Sequence, residues 1–200
     1  MKHKERFYKT TSGRQLLVID DYFSISQIRY FKSFAENSNY KLGTVTSTMF
    51  EHSNKNETFY KCSFTIEDNE NFGLYNLIKT DFAKYFKNKH IPSAWISATF
   101  SGNRIRYHCD ADRKDINNEY SKLEDCKYLT LLFYCNLKWD MEDGGETIFC
   151  EDDGEPEIAI GCKPNRMIIF DSHIPHRPSM TRTSVNEPRF CYVLGLSINE

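Results

Sequence analysis

The spacing of apolar residues changes character near residue 92. Before that point most of it is helical. Ile25, Ile28, Phe31 and Ala35 lie three or four residues apart, which predicts one buried helix face over about 25–36. Ser24 followed by Gln27 at the third position after it forms a capping box for that helix. Leu74, Leu77, Ile78, Phe82, Tyr85 and Phe86 predict a second helix, closed by Lys and Asn near 88–90. The exception is "LLVID" (16–20), a short continuous apolar run that reads as a buried strand. Residues 40–66 are mixed, and "FEHSNKNET" (50–58) reads as a loop.

From 92 onward, short segments rich in β-branched and aromatic residues alternate with Gly, Pro, Asn and Asp. They are "SAWISATF", "NRIRYHCD", "KYLTLLFYCNL", "GETIFC", "EIAIGC", "RMIIFDS" and "RFCYVLGLSI". This many short strands in about a hundred residues predicts a sandwich or jelly roll. The expected organisation is a single domain over 1–200, mainly β. Residues 1–91 form an N-terminal helical support and 92–200 the β core.

Composition narrows the function classes. Two hundred residues suit one domain, and 40% hydrophobic residues suit a packed core. A net charge of -2 argues against nucleic-acid or anionic-membrane binding driven by charge. No apolar run approaches the ~20 residues of a membrane span, and the opening residues lack a signal peptide's apolar core. Seven cysteines, an odd number without a CxxC pair, read as free thiols in a reducing compartment, the cytoplasm.

The chemistry starts at "RYHCDAD" (106–112). On a strand, His108, Asp110 and Asp112 all project from one face, so alternation alone leaves the choice of carboxylate open. Downstream, "IIFDSHIPHRPSM" holds His173 and His176, with Asp171 and His173 a rival pair. Two imidazoles and one carboxylate on one face of an octahedron leave adjacent positions for a chelating co-substrate and O₂, whereas structural zinc needs four closed ligands. Arg189 opens the last strand, and a guanidinium there can grip an anionic co-substrate through two parallel hydrogen bonds. Arg182 competes from a loop-like stretch.

Four segments in order resemble the prolyl-4-hydroxylase-like branch of the Fe(II)/2-oxoglutarate-dependent dioxygenases. They are "YHCD" (107–110), "YLTLLFYCNLKWDMEDGGETIF" (128–149), "PNRMIIFDSHIPHRP" (164–178) and "RFCYVLGL" (189–196). The resemblance implies a double-stranded β-helix, a cupin-like jelly roll. It implies that His108, Asp110 and His176 are the iron ligands. It also implies that Arg189 and Tyr134 bind the C5 carboxylate of 2-oxoglutarate, Tyr134 lying in a "YCN" whose Cys135 stands where the family has leucine. Fe(II) and 2-oxoglutarate follow as cofactor and co-substrate, with ascorbate as accessory reductant. The implied reaction hydroxylates a C–H bond while 2-oxoglutarate becomes succinate and CO₂. Peptidyl proline is the expected substrate, with a free amino acid or other small molecule as the alternative. A non-catalytic jelly-roll binding module is the rival from another class.

Other features have plain readings. His173 is expected at the surface or pocket rim and Asp112 as a rim carboxylate. Cys109 is expected in the core, Trp139 in packing, and Gly144-Gly145 in a tight turn needing positive φ. Nine acidic residues within 140–157 read as a solvated hairpin surface, with a lure for a cationic substrate as the sharper alternative. "RKD" (113–115) and 50–58 are candidate lids.

Overall fold

The computed structural model describes residues 3–44, 58–64, 73–87, 89–103, 105–111 and 122–198. Eleven strands are present among them: β1 Lys4–Lys9, β2 Gln15–Asp20, β3 Lys41–Thr44, β4 Thr58–Phe64, β5 Lys89–Thr99, β6 Tyr128–Tyr134, β7 Thr147–Cys150, β8 Pro156–Ile160, β9 Arg166–Asp171, β10 His176–Pro178 and β11 Arg189–Ile198. Eight form an antiparallel sheet in the order β1-β2-β9-β6-β11-β5-β4-β3, and three form a facing sheet, β10-β7-β8. The chain is a jelly roll, as its strand pattern predicted.

Both faces of the large sheet are covered, which explains why "LLVID" is apolar without alternation. Leu16 and Val18 pack between the sheets with Phe149, Ile160, Ile168 and Phe170. Leu17 and Ile19 point the other way, into a second core with Phe31, Ala35, Leu74 and Ile78 from the helices. The same alternation runs through β6: Leu129, Leu131 and Phe133 face the helices, while Leu132 and Tyr134 face the sandwich interior.

Helix α1 spans Ile25–Glu36 and begins with the expected capping box. The Ser24 hydroxyl accepts from the Gln27 backbone N–H at 3.3 Å, and the Gln27 side chain accepts from the Ser24 N–H at 2.9 Å. Ser24→Ala leaves the Gln27 N–H without its side-chain acceptor, while the backbone N–H of residue 24 can still donate to Gln27. The substitution is expected to cost about 1 kcal/mol, read as a lower urea midpoint with an unchanged slope.

Three expectations need correction. The second helix is two short ones, α2 Leu74–Ile78 and α3 Ala83–Phe86. Thr80 and Asp81, poor helix formers, sit at the break, and the Asp81 carboxylate accepts from the Tyr22 hydroxyl at 2.8 Å. The predicted apolar face is buried regardless, with Leu74, Ile78, Phe82, Tyr85 and Phe86 all in the core. Next, "NRIRYHCD" is not a strand; among its described residues only His108 bridges, to His176. Lastly, residues 1–91 supply β1 to β4 and the start of β5 besides helices. Of these, β2 is the strand that "LLVID" predicted, while β1, β3 and β4 lie towards the sheet edges, where exposed positions make the apolar signal weak. The proposed lids at 50–58 and 113–115, Thr58 aside, and Asp112 lie outside the described residues. Among the described residues, no helix is long and apolar enough to cross a membrane.

Candidate active site

Period-two alternation delivers one face of three neighbouring strands to a single cavity of about 70 Å³. Trp95, Ser97 and Thr99 of β5, Arg189, Cys191 and Val193 of β11 and Leu132 of β6 line one side. The other side comes from Thr147 of β7, His176 and Pro178 of β10, and Ile105, His108 and Asp110 before β6.

His108 and His176 are tied backbone to backbone, each N–H donating to the other's carbonyl at 3.0 and 2.9 Å. Their rings lie 4.5 Å apart between centroids. The Nδ1 of His108 is 2.9 Å from the Arg106 carbonyl, and that of His176 is 3.0 Å from the Ile174 carbonyl. A carbonyl only accepts, so each Nδ1 carries the proton and each Nε2 presents a lone pair. Those two nitrogens face the Asp110 carboxylate at 3.6 and 3.5 Å.

Asp110 is held in turn. Its backbone N–H donates to the Ser172 carbonyl at 2.9 Å. The Thr130 hydroxyl donates to its Oδ2 at 2.8 Å, and Thr130 also meets the Ser172 hydroxyl at 2.9 Å. One donor atom from each of His108, Asp110 and His176 lies within 4.8 Å of the others, and no further group of three or more such donors occurs among the described residues. Burial, reinforced by the neighbouring His108, holds the His176 imidazole below its ordinary pKa against the pull of Asp110, and so in the neutral, ligating form.

The rival pair is accounted for elsewhere. His173 Nδ1 sits 3.0 Å from Asp171 Oδ1, outside the converging trio. His173 is buried rather than on a surface or rim, because its ring packs edge-on against Tyr128 at 5.5 Å. Cys109 is buried, as expected, with its thiol donating to the His173 carbonyl at 3.3 Å.

Opposite the trio lies Arg189, only 3% exposed. Its Nη2 donates to the Thr147 hydroxyl at 3.1 Å, and its guanidinium lies 4.7 Å from the Tyr134 ring centre. The Tyr134 hydroxyl meets the same Thr147 oxygen at 2.5 Å. No acidic side chain lies within ion-pair distance of Arg189 among the described residues, and its Nε has no hydrogen-bond partner. Burial opposes its charge, but the Tyr134 hydroxyl and the Cys191 and Cys162 thiols hold its pKa high, so it remains a guanidinium. Burial likewise raises the Tyr134 phenol, which stays protonated. Thr147 was not singled out from the sequence; its signal was the threonine of Gly-Gly-Glu-Thr.

The two glycines before it do more than turn. Both have positive φ, 73° at Gly144 and 77° at Gly145. A Cβ at Gly144 would meet the Met180 carbonyl, and one at Gly145 would sit 2.9 Å from Arg189 Cδ and 3.3 Å from Trp139. Gly145 therefore clears the path of the arginine stem. Trp139 donates to the Gly144 carbonyl at 2.9 Å, in keeping with a packing role. Arg182 is exposed and pairs with Glu142 at 3.0 Å, away from the cavity. Much of the acidic run has structural partners: Glu146 accepts from Ser179, Glu151 from Ser12 and Glu157 from Thr11.

A jelly roll with two histidines, a carboxylate and a buried arginine around one cavity defines an iron-oxygenase type of site. The family model of the 2OG-Fe(II) oxygenase superfamily matches residues 94–194, and the chain belongs to that superfamily. It is an enzyme, a 2-oxoglutarate-dependent dioxygenase, with Fe(II) as cofactor and 2-oxoglutarate as co-substrate. No curated protein matches the chain. Similar solved structures include a Pseudomonas putida prolyl-4-hydroxylase at 11% identity and TM-score 0.61, covering 92% of this chain and 93% of that one. A prolyl hydroxylase from Trichoplax adhaerens, in complex with a hypoxia inducible factor oxygen degradation domain peptide fragment, matches at 14% identity and TM-score 0.66 over 91% of this chain and 83% of that one. HygX from Streptomyces hygroscopicus, with nickel and 2-oxoglutarate bound, matches at 12% and TM-score 0.61 over 92% and 83%. At such identities the likeness establishes the shared fold.

Proposed function

We propose that the enzyme hydroxylates a C–H bond of a peptidyl proline, with His108, Asp110 and His176 as the Fe(II) ligands and Arg189 and Tyr134 as the anchor for the C5 carboxylate of 2-oxoglutarate. The observation that carries this is the buried Arg189, without a counter-ion among the described residues, lining one small cavity with three convergent donors. An unpaired buried charge is costly, and a carboxylate from a ligand removes that cost. The residues thus fit both groups: three donors leave metal positions open, and the Arg189–Thr147–Tyr134 cluster offers hydrogen-bond donors to a second carboxylate.

When bound, iron and 2-oxoglutarate supply with O₂ the oxidising power that converts C–H to C–OH, and 2-oxoglutarate leaves as succinate and CO₂. The chain's own part is positional. Two Nδ1–H groups fix the imidazoles, Thr130 fixes the carboxylate, and apolar Leu132 and Val193 keep the walls between them dry. The solved prolyl hydroxylase with a peptide fragment supports a peptide substrate. HygX with hygromycin B bound supports the same chemistry on a small molecule. All seven cysteines are free and six are buried, in keeping with action in the reducing cytoplasm.

The test is succinate release with Fe(II) and 2-oxoglutarate across proline peptides, free amino acids and other small molecules. Turnover is expected to require Fe(II), and metal plus 2-oxoglutarate should raise the melting temperature by linkage. No succinate and no ligand-dependent rise would point to the non-catalytic binding module.

A further inference from the structure

The large sheet carries a second positive feature on its cavity side, without an ion-pair partner among the described residues. Directly opposed residues in antiparallel strands share a face. The pairing sets Lys41 opposite Lys61, Lys61 opposite Ser97, Ser97 opposite Cys191 and Cys191 opposite Tyr134. Ser97 and Cys191 line the cavity, so this row runs from the Tyr134–Arg189 anchor out to two lysines on the outermost strands β4 and β3.

Lys61 is half-buried, and its ammonium lies 4.2 Å from the ring centre of Trp95, itself a cavity wall. Among the described residues, no acidic side chain lies within ion-pair distance of Lys41 or Lys61. Two like charges set opposite each other destabilise an antiparallel pair. Burial lowers the Lys61 pKa, and among the described residues the carboxylate that opposes this is Asp110. Lys61 thus lies on the cavity face, beside a Trp95 ring that lines the same cavity as Asp110. A divalent cation on Asp110 would offset that negative charge and leave the lysine uncompensated.

We propose that Lys61, with Lys41 beside it and the Trp95 ring against it, binds a carboxylate carried by the substrate that is hydroxylated in this cavity. The inference rests on the reading of the cavity as the oxygenase site. In that reading Arg189, opposite Thr99 on the neighbouring strand pair, holds 2-oxoglutarate, and Lys61 is left for the substrate. A lysine suits this task because a compact ammonium accepts a carboxylate from several directions.

The chain has two tryptophans, so Trp139→Phe leaves Trp95 as a fluorescent reporter directly against Lys61. This protein, loaded with Zn(II) and 2-oxoglutarate so that no turnover occurs, is titrated with two matched pairs of probes. The first pair is acetyl-Ala-Pro-Glu-Ala-amide and its Gln counterpart; the second is N-acetylproline and N-acetylprolinamide. Calorimetry on the unsubstituted chain repeats the measurement without the Trp139 change.

The anionic member of at least one pair is expected to bind about tenfold tighter, the effect of one charge-assisted hydrogen bond. The preference should vanish in Lys61→Gln, persist in Lys61→Arg and weaken in high salt. Preference within the peptide pair alone assigns the carboxylate to an acidic residue of a peptide, and preference within the second pair assigns a small acid. Equal binding of both members, no binding by any probe, or a preference unchanged in Lys61→Gln overturns the proposal. A melting-temperature rise with Zn(II) and 2-oxoglutarate is read in the same samples. Where that rise is present and the preference absent, the lysine subsite alone is wrong; where the rise is absent, the reading of the cavity has failed first.

Discussion

His176→Ala is expected to abolish Fe(II)-dependent succinate release. The loss should exceed the 10–100-fold typical of removing a residue that only orients a metal ligand, because a ligand itself is removed. His176 is also part of the wall: its ring packs against Phe170 at 4.8 Å and Phe149 at 5.9 Å between centroids. The alanine variant therefore loses packing as well as a donor, and some stability falls with it. Two comparisons separate these effects. Metal binding followed by the d–d spectrum of added Co(II) should disappear in His176→Ala even at temperatures where far-UV circular dichroism shows the chain folded. His173→Ala, which disturbs a neighbouring buried ring outside the trio, should keep the spectrum. Full turnover in His176→Ala together with its loss in His173→Ala would overturn the ligand assignment.

Local physics explains how far the sequence led. The capping box at Ser24 and Gln27 involves residues three apart, and the helix it starts ends at Glu36, as its periodicity implied. β6 and β11 are apolar on both faces, so they stood out as strands, and their alternation determines which residues reach the cavity. What escaped was non-local. His108 and Asp110 are not held by a strand of their own; they are pinned by hydrogen bonds from a segment more than sixty residues downstream, at Ser172 and His176. The same-face argument for "RYHCDAD" therefore rested on a strand that is absent, although the neighbourhood of His108 and Asp110 that it suggested is real. β1, β3 and β4 gave little signal because they lie towards the sheet edges, where an exposed face takes polar residues freely. Thr147 escaped for a related reason. Its chemistry lies in accepting from Arg189 and meeting Tyr134, two partners on other strands.

Arg189→Met is expected to move stability and function in opposite directions. The native side chain buries a positive charge with no acid within ion-pair distance among the described residues and one nitrogen unpaired, and only neutral groups, Thr147, Tyr134, Cys162 and Cys191, offset desolvation. A methionine of similar length fills the channel left by Gly145 without that charge, and replacing buried ionic groups by apolar ones is often neutral or stabilising by about 1–4 kcal/mol. The variant free of 2-oxoglutarate should therefore unfold at an equal or higher urea concentration. Its requirement for 2-oxoglutarate should rise at least about a hundredfold, since two hydrogen bonds to a charged group, each about 1.5–3 kcal/mol, are lost. Co(II) binding at His108, Asp110 and His176 should survive, which separates co-substrate anchoring from metal loading. An unchanged 2-oxoglutarate requirement would remove Arg189 from the anchor. A large fall in stability would instead make it a structural brace for Tyr134 and Thr147. The opposing signs are the diagnostic: a charge kept in the core at a cost to folding is explained by the ligand carboxylate that neutralises it.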